Sequence, residues 1–282
     1  MSAPDREVNA GAVHEVHRID GLHVETWGDR ERPALLLSAG LGGQGGYWRP
    51  HLGTLSRTHC VITYDQRGTG ESDRAIPQAY GLEHMAHDLR SVLDGLSMDA
   101  ADVMGHAAGG MAALQLAISS PDRVRSVIVI NGWDAPDPHF VRCMEVRKGI
   151  MRTQGALAYL TAQPLFLYPA EWIAGHLPEL DRQARAHAEG FQSEPTLFAR
   201  MDALTGTDLR ARLGDVRCRV LLVSALDDML VPASRSVALG DALTCAQVAR
   251  AVGNVGGHAI NITQQDWFEK QVTAFLAAPA HH

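Results

Sequence analysis

The sequence predicts an α/β protein: a mostly parallel central sheet flanked by helices, with a helical cap inserted into it. Three observations carry this. From Ala34 onward, short apolar runs alternate with helical segments, the order that a sheet covered on both faces produces. The run 34–38 after Pro33 is apolar through Leu37, as a strand buried on both faces requires. The alternation pauses once, between Gly132 and Leu213. There Pro136, Pro138, Pro164, Pro169, Pro178 and Pro195 interrupt a helical periodicity and no strand pattern stands out.

The elements follow in order. Residues 14–18 and 22–27 read as two strands around Asp20-Gly21, a hairpin-turn dipeptide. Further strands are expected at 34–38, 60–64, 101–104, 124–130, 220–224 and 247–252. The clearest amphipathic helix is 82–96: Leu82, Met85, Leu89, Val92, Leu93 and Leu96 share one stripe, with charges opposite. Residues 107–119 and 265–276 are helical too. The expected division is therefore a core of 1–131 and 214–282, with 132–213 a cap over the sheet's C-terminal edge. That edge is where open α/β sheets place ligands.

Composition narrows the function classes. A net charge of -7 with no Lys or Arg run argues against a nucleic-acid partner. The four cysteines, Cys60, Cys143, Cys218 and Cys245, are scattered, with neither a disulfide framework nor metal-ligand spacing. No metal and no organic cofactor is expected. Residues 1–11 are polar and lack the apolar stretch of a signal peptide. Residues 103–121 lack charged side chains, but their glycines and His106 fit a buried strand, turn and helix better than a membrane span. The expectation is a cytoplasmic protein acting on a small molecule, with no membrane partner. His281-His282 carries no part of the argument.

The chemistry-bearing residues also come in order. Gly105-His106-Ala107-Ala108-Gly109 has the frame Gly-x-nucleophile-x-Gly between a strand and a helix, yet the nucleophile position holds alanine. Asp227-Asp228 follows the strand 220–224, and Asp228, better spaced from Pro232, is the expected acid. His258, after Gly256-Gly257, follows the last strand, where its ring should lie within ~2.6–3.2 Å of an Asp228 oxygen. Residues 38–43 follow the strand 34–38, where Leu41 N–H would form an oxyanion hole with Ala108 N–H. Both donors are main-chain, so alanine at 107 does not remove them. The blander readings are a Gly-rich turn without chemistry and a capping carboxylate. A phosphate cradle is disfavoured, because no Gly-Lys-Ser/Thr follows. Asp65 and Arg67 read as structural, an ion pair or turn cap.

Nucleophile, acid and histidine in this order and spacing are the frame of the α/β-hydrolase fold. Within it the chain resembles the RutD family of the Rut pyrimidine-degradation pathway. The resemblance runs nearly end to end after residue 30. It rests on Gly40-Leu41-Gly42-Gly43 with Tyr47-Trp48, on Tyr64-Asp65-Gln66-Arg67-Gly68-Thr69-Gly70, on Asn131-Gly132-Trp133, and on Arg142-Cys143. The cap segment from Gln163-Pro164 to Glu171-Trp172 is the most telling piece. The resemblance implies Gly-His-Ala-x-Gly at the elbow, hydrolysis of carbamate or 3-aminoacrylate, and a homodimer. Trp133 and Trp172 either line the cap side of the pocket or pack its helices.

Alanine has no nucleophilic atom, so a covalent intermediate at 107 is excluded. His258 can still act as a general base on water over the oxyanion hole. Two other readings remain open. One is a serine esterase, amidase or lactonase whose serine was replaced by Ala107. The other is a non-catalytic binding protein that uses the capped pocket.

Overall fold

The computed structural model describes residues 14–244 and 247–279. Residues 1–11, Cys245 and His281-His282, on which parts of the sequence reading fell, lie outside the described residues. One sheet runs in the order β1 (His14–Ile19), β2 (Leu22–Trp27), β4 (Cys60–Tyr64), β3 (Ala34–Ser38), β5 (Ala101–His106), β6 (Val124–Ile130), β7 (Arg219–Ala225) and β8 (Val248–Gly253). β2 pairs antiparallel with both β1 and β4, and the remaining pairs are parallel. In the hairpin turn, Asp20 and Gly21 both have positive φ, 48° and 75°. That is the type I′ geometry whose twist suits adjoining antiparallel strands.

Alternate residues of the inner strands face opposite sides, which is why these runs are apolar throughout. Leu36, Ile62, Val103 and Val129 belong to one buried cluster, with α2 (Leu82–Gly95) and α3 (Ala108–Ser119) over it. Leu35, Val61, Met104 and Ile128 belong to the other, beneath α1 (Arg49–Leu55) and α9 (Gln265–Ala277). β5 extends two residues beyond the expected strand, because Gly105 and His106 still pair with Val129 and Ile130. The helices α1 and α8 (Ala233–Ala242) are short, and the sequence reading did not single them out.

Between Ile130 and Arg219 no strand occurs among the described residues. The chain there forms α4 (Pro138–Ala162), α5 (Pro164–Leu167), α6 (Ala170–Ala188) and α7 (Glu194–Thr205). The prolines mark starts: Pro138, Pro164 and Pro195 occupy first-turn positions, where a missing N–H costs nothing. The side chains of Asp137 and Ser193 cap α4 and α7. Gly155, at φ 80°, breaks α4, and Pro178 lies inside α6.

The strand order positions the site. From β3 the chain crosses to β4 on one side, then returns to β5 on the other. The loops leaving the C-terminal ends of β3 and β5 therefore diverge at a topological switch point, where a crevice opens. No helix among the described residues is long and apolar enough to cross a membrane.

Candidate active site

Ala107 occupies the turn between β5 and α3 with φ 47° and ψ −110°, a conformation that L-residues rarely adopt. Its N–H donates to Ile130 O at 2.8 Å. The turn is tight enough to dictate both flanking glycines. A Cβ on Gly105 would lie 2.2 Å from backbone atoms of Gly109 and Gly110, and one on Gly109 would lie 2.2 Å from Ser38 O. The backbone thus presents residue 107 as a nucleophile elbow does, with a methyl group at its tip.

His258 Nδ1 lies 2.8 Å from Asp228 Oδ2, and both residues are buried. The carboxylate fixes the ring proton on Nδ1 and leaves Nε2 as an acceptor. Asp228 is held by three further donors. Asn131 Nδ2 reaches Oδ2 at 2.6 Å, while the amides of Leu230 and Val231 reach Oδ1 at 2.8 and 2.9 Å. The adjacent Asp227 instead accepts from the amides of Gly256 and Gly257, at 2.9 Å each, and so anchors the loop before the histidine. Ala259 N–H donates to Leu167 O of α5, tying the same loop to the inserted helices.

His106 contributes a second buried ring. Its Nε2–H donates to His258 O at 2.8 Å, its face stacks on Tyr47, and its edge meets the ring of His258. Burial, followed by the neighbouring His258, pushes its pKa down to about 3, so it stays neutral. Sequence reasoning gave His106 and Asn131 no role. The hint available was Asn131 after a strand, a residue type that tolerates the positive φ (53°) it adopts.

The loop 40–43 closes as a turn, with Gly43 N–H donating to Gly40 O at 3.0 Å. Arg200 of α7 braces it. The guanidinium is buried and donates to Leu41 O at 3.2 Å, to Arg67 O at 3.1 Å and to Gln66 Oε1. Ala108 begins α3, so its N–H is among those with no intrahelical acceptor, at the positive end of the helix dipole.

A cavity of about 680 Å3 opens beside these groups, lined by Leu41, Ala107, Ala108, His258 and Trp133, and roofed by side chains of α4 to α6. Trp172 is not on its wall. That ring is stacked against Tyr168 and, one helical turn along α6, His176, with centroids 4.4 and 3.9 Å apart, and Tyr168 is the ring that reaches the cavity. Of the two tryptophans, Trp133 lines and Trp172 packs. Asp65 accepts from the amides of Gly45 and Glu71, whereas Arg67 pairs with Asp88 and Asp20, so the two are not each other's partner. Asp20, His87 and Asp88 are grouped closely enough to suggest a cation site, but Arg67 already pairs with both carboxylates.

Residues 33–265 match the sequence profile of the alpha/beta hydrolase fold family. A protein of Caulobacter vibrioides (strain NA1000 / CB15N) named "Putative carbamate hydrolase RutD" is 43% identical over 260 residues, 92% of this chain and 96% of the relative. The chain is a member of the RutD family of α/β hydrolases. A RutD protein of the same name from Pseudomonas syringae pv. syringae (strain B728a) is 42% identical over 88% of this chain and 95% of its own. The Caulobacter match covers more of the chain than the residues after 30 would supply, so kinship with RutD extends into the N-terminal hairpin. Among solved structures, the enol-lactonase from Burkholderia xenovorans LB400 superposes with a TM-score of 0.82 over 94% of this chain and 100% of its own. At 24% identity, it shares the fold. This RutD-family hydrolase therefore has a buried Asp-His pair and a cavity beside a residue without a hydroxyl.

Proposed function

We propose that this chain hydrolyses a small uracil-derived C–N compound, carbamate or 3-aminoacrylate, using water activated by His258. One observation carries the reading: Asp228 and His258 are hydrogen-bonded beside an alanine held in the nucleophile conformation. A base oriented in this way, with no side-chain hydroxyl before it, can take its proton from water. Asp228 keeps the imidazole in its accepting tautomer and supports the imidazolium that forms. With carbamate, water adds to the single carbon, and the products are ammonia and bicarbonate. With 3-aminoacrylate, C2 gains a proton, water adds at C3, and the carbinolamine expels ammonia to leave malonic semialdehyde. Both compounds decompose unaided, so a site that lacks covalent catalysis has a modest barrier to lower. The names of the RutD relatives support the first of these, carbamate.

The test is the decay of each compound with and without the protein. The intact chain should accelerate at least one, and His258→Gln should remove ~10²–10⁴ of that acceleration. Equal decay with and without protein would move the binding-protein reading ahead. The retained elbow strain supports one further reading, a serine hydrolase that has lost its nucleophile. Ala107→Ser separates the two. In a water-using enzyme it gains ester hydrolysis on 4-nitrophenyl acetate without improving the natural reaction. In a disabled serine enzyme it restores the natural reaction by up to ~10⁶.

A further inference from the structure

Arg147, on α4, lines the same cavity as Ala107 and His258 and is almost fully buried. A guanidinium carries five N–H donors and normally meets a carboxylate when taken out of water. This one meets none among the described residues. One terminal nitrogen donates to Tyr159 OH at 2.5 Å, the other faces the Met144 thioether at 3.7 Å, and the buried Nε has no acceptor. Its flat faces lie near the rings of Tyr159 and Phe166, at 5.2 and 5.6 Å from the centroids. The charges that act on the Tyr159 hydroxyl are Arg147 and Arg200, both cations. The next residue, Lys148, is by contrast fully engaged with Glu145 and Asp202. A buried cation without a carboxylate partner is costly, and on a cavity wall an incoming anion can complete it.

We propose that Arg147 is the carboxylate-binding residue of the cavity, and that the substrate is a small carboxylate whose C–N bond breaks at a different carbon. This rests on the reading that the cavity hydrolyses a small C–N compound. The second half follows from placement. The main-chain donors are Leu41, in the loop after β3, and Ala108, in the first turn of α3, whereas Arg147 belongs to the inserted helices on another wall of the cavity. A molecule using both must keep its carboxylate apart from its reacting carbon. In 3-aminoacrylate these are C1 and C3; in carbamate they are one atom. Arg147 therefore selects 3-aminoacrylate over carbamate. It also rejects neutral amides, because they leave the guanidinium unpaired.

Propionate and propionamide are unreactive probes of equal size, and their binding can be followed by ligand-observed NMR titration. Propionate should bind the intact chain saturably, and Arg147→Met should weaken it at least ~10-fold, the scale of a charge-assisted hydrogen bond. Propionamide should bind the two proteins alike. Arg147→Lys, which keeps the charge but not the fork, should be intermediate, and it serves if the methionine variant does not fold. In turnover, Arg147→Met should raise KM for 3-aminoacrylate far more than it lowers kcat. Absence of saturable propionate binding to the intact chain would overturn the proposal, as would equal binding to both proteins. The two readings can fail separately. If propionate binding depends on Arg147 but no C–N compound is turned over, the subsite stands and the reaction falls. If 3-aminoacrylate is turned over equally by Arg147→Met, the reaction stands and the subsite falls.

Discussion

At position 107 an alanine bears backbone strain of order 1–3 kcal/mol, a cost found where surrounding structure over-determines a conformation for function. The residue before it is equally constrained. His106 is neutral in the folded chain, its pKa depressed to about 3 by burial and then by His258, whereas in the unfolded chain it takes a proton near pH 6.5. The unfolded state therefore binds more protons below pH 6.5. The stability tied to this group is complete above that pH and is lost as pH falls toward 3. The slope approaches ~1.4 kcal/mol per pH unit. Urea unfolding at pH 7.5, 6.5, 5.5 and 4.5 should show the intact chain losing stability faster than His106→Asn by nearly that slope. Carboxylate titrations cancel in the comparison, and parallel curves would contradict the assignment. Which residues occupy the elbow was legible from the sequence, because the Gly-x-x-x-Gly frame survives the loss of the hydroxyl. The character of His106 was not, since it comes from Tyr47, His258 and burial, which only the fold brings together. Trp172 shows the same limit: an aromatic residue in an inserted helix reads alike whether it faces a cavity or stacks on its neighbours.

Among the elements, the strands were the most legible, because β2, β3, β4 and β6 are bounded by sharp changes in hydrophobicity. The short helices α1 and α8 span too few turns for a period to emerge. Buried charges on inserted helices were the hardest to foresee. Arg147 and Arg200 look in sequence like ordinary helix-surface residues, yet one faces the cavity and the other reaches across to the loop after β3. That loop is where α7 acts as a brace. Arg200 holds Leu41 O and Arg67 O, so it ties together two loops from different strands, alongside Gln192 on Leu41 O and the Gln66 N–H on Gly43 O. Arg200→Met should free residues 40–43, raise amide exchange there while leaving β8 protected, and lower kcat by ~10-fold or more with little change in KM. A drop of this kind is the signature of a donor needed only in the transition state. Unchanged exchange at 40–43 would mean that the turn Gly40–Gly43 holds itself, and Arg200 would no longer count as a positioning residue.

For the molecule as a whole, the question is whether the inserted helices form a unit of their own. The sequence reading set 132–213 apart as a cap because the strand–helix alternation stops there, and chain order carries that signal well. The side chains connect it differently. Phe140 and Met144 of α4, and Leu197 and Met201 of α7, belong to the same buried cluster as Leu89 of α2 and Met111 of α3, and Trp133 joins them through its contact with Phe140. The His258 loop is bonded to α5 as well. The inserted helices pack on one another, yet their buried side chains are continuous with the sheet's own cluster, so they should melt with it. Calorimetry should therefore give one endotherm, with the tryptophan fluorescence of a variant keeping only Trp133 and Trp172 and the far-ultraviolet helix signal changing at the same temperature. Excision of 132–213 should leave an insoluble chain, because apolar core residues on the cavity wall, Leu41 and Leu230 among them, would lose the side chains that face them. Two resolved transitions, or a soluble folded core after excision, would show that the insertion is an independent cooperative unit. The cavity would then lie between two bodies free to separate, and substrate entry would be governed by their opening. A single transition would tie Arg147 and His258 to one rigid frame, as a carboxylate anchored away from its reacting carbon requires.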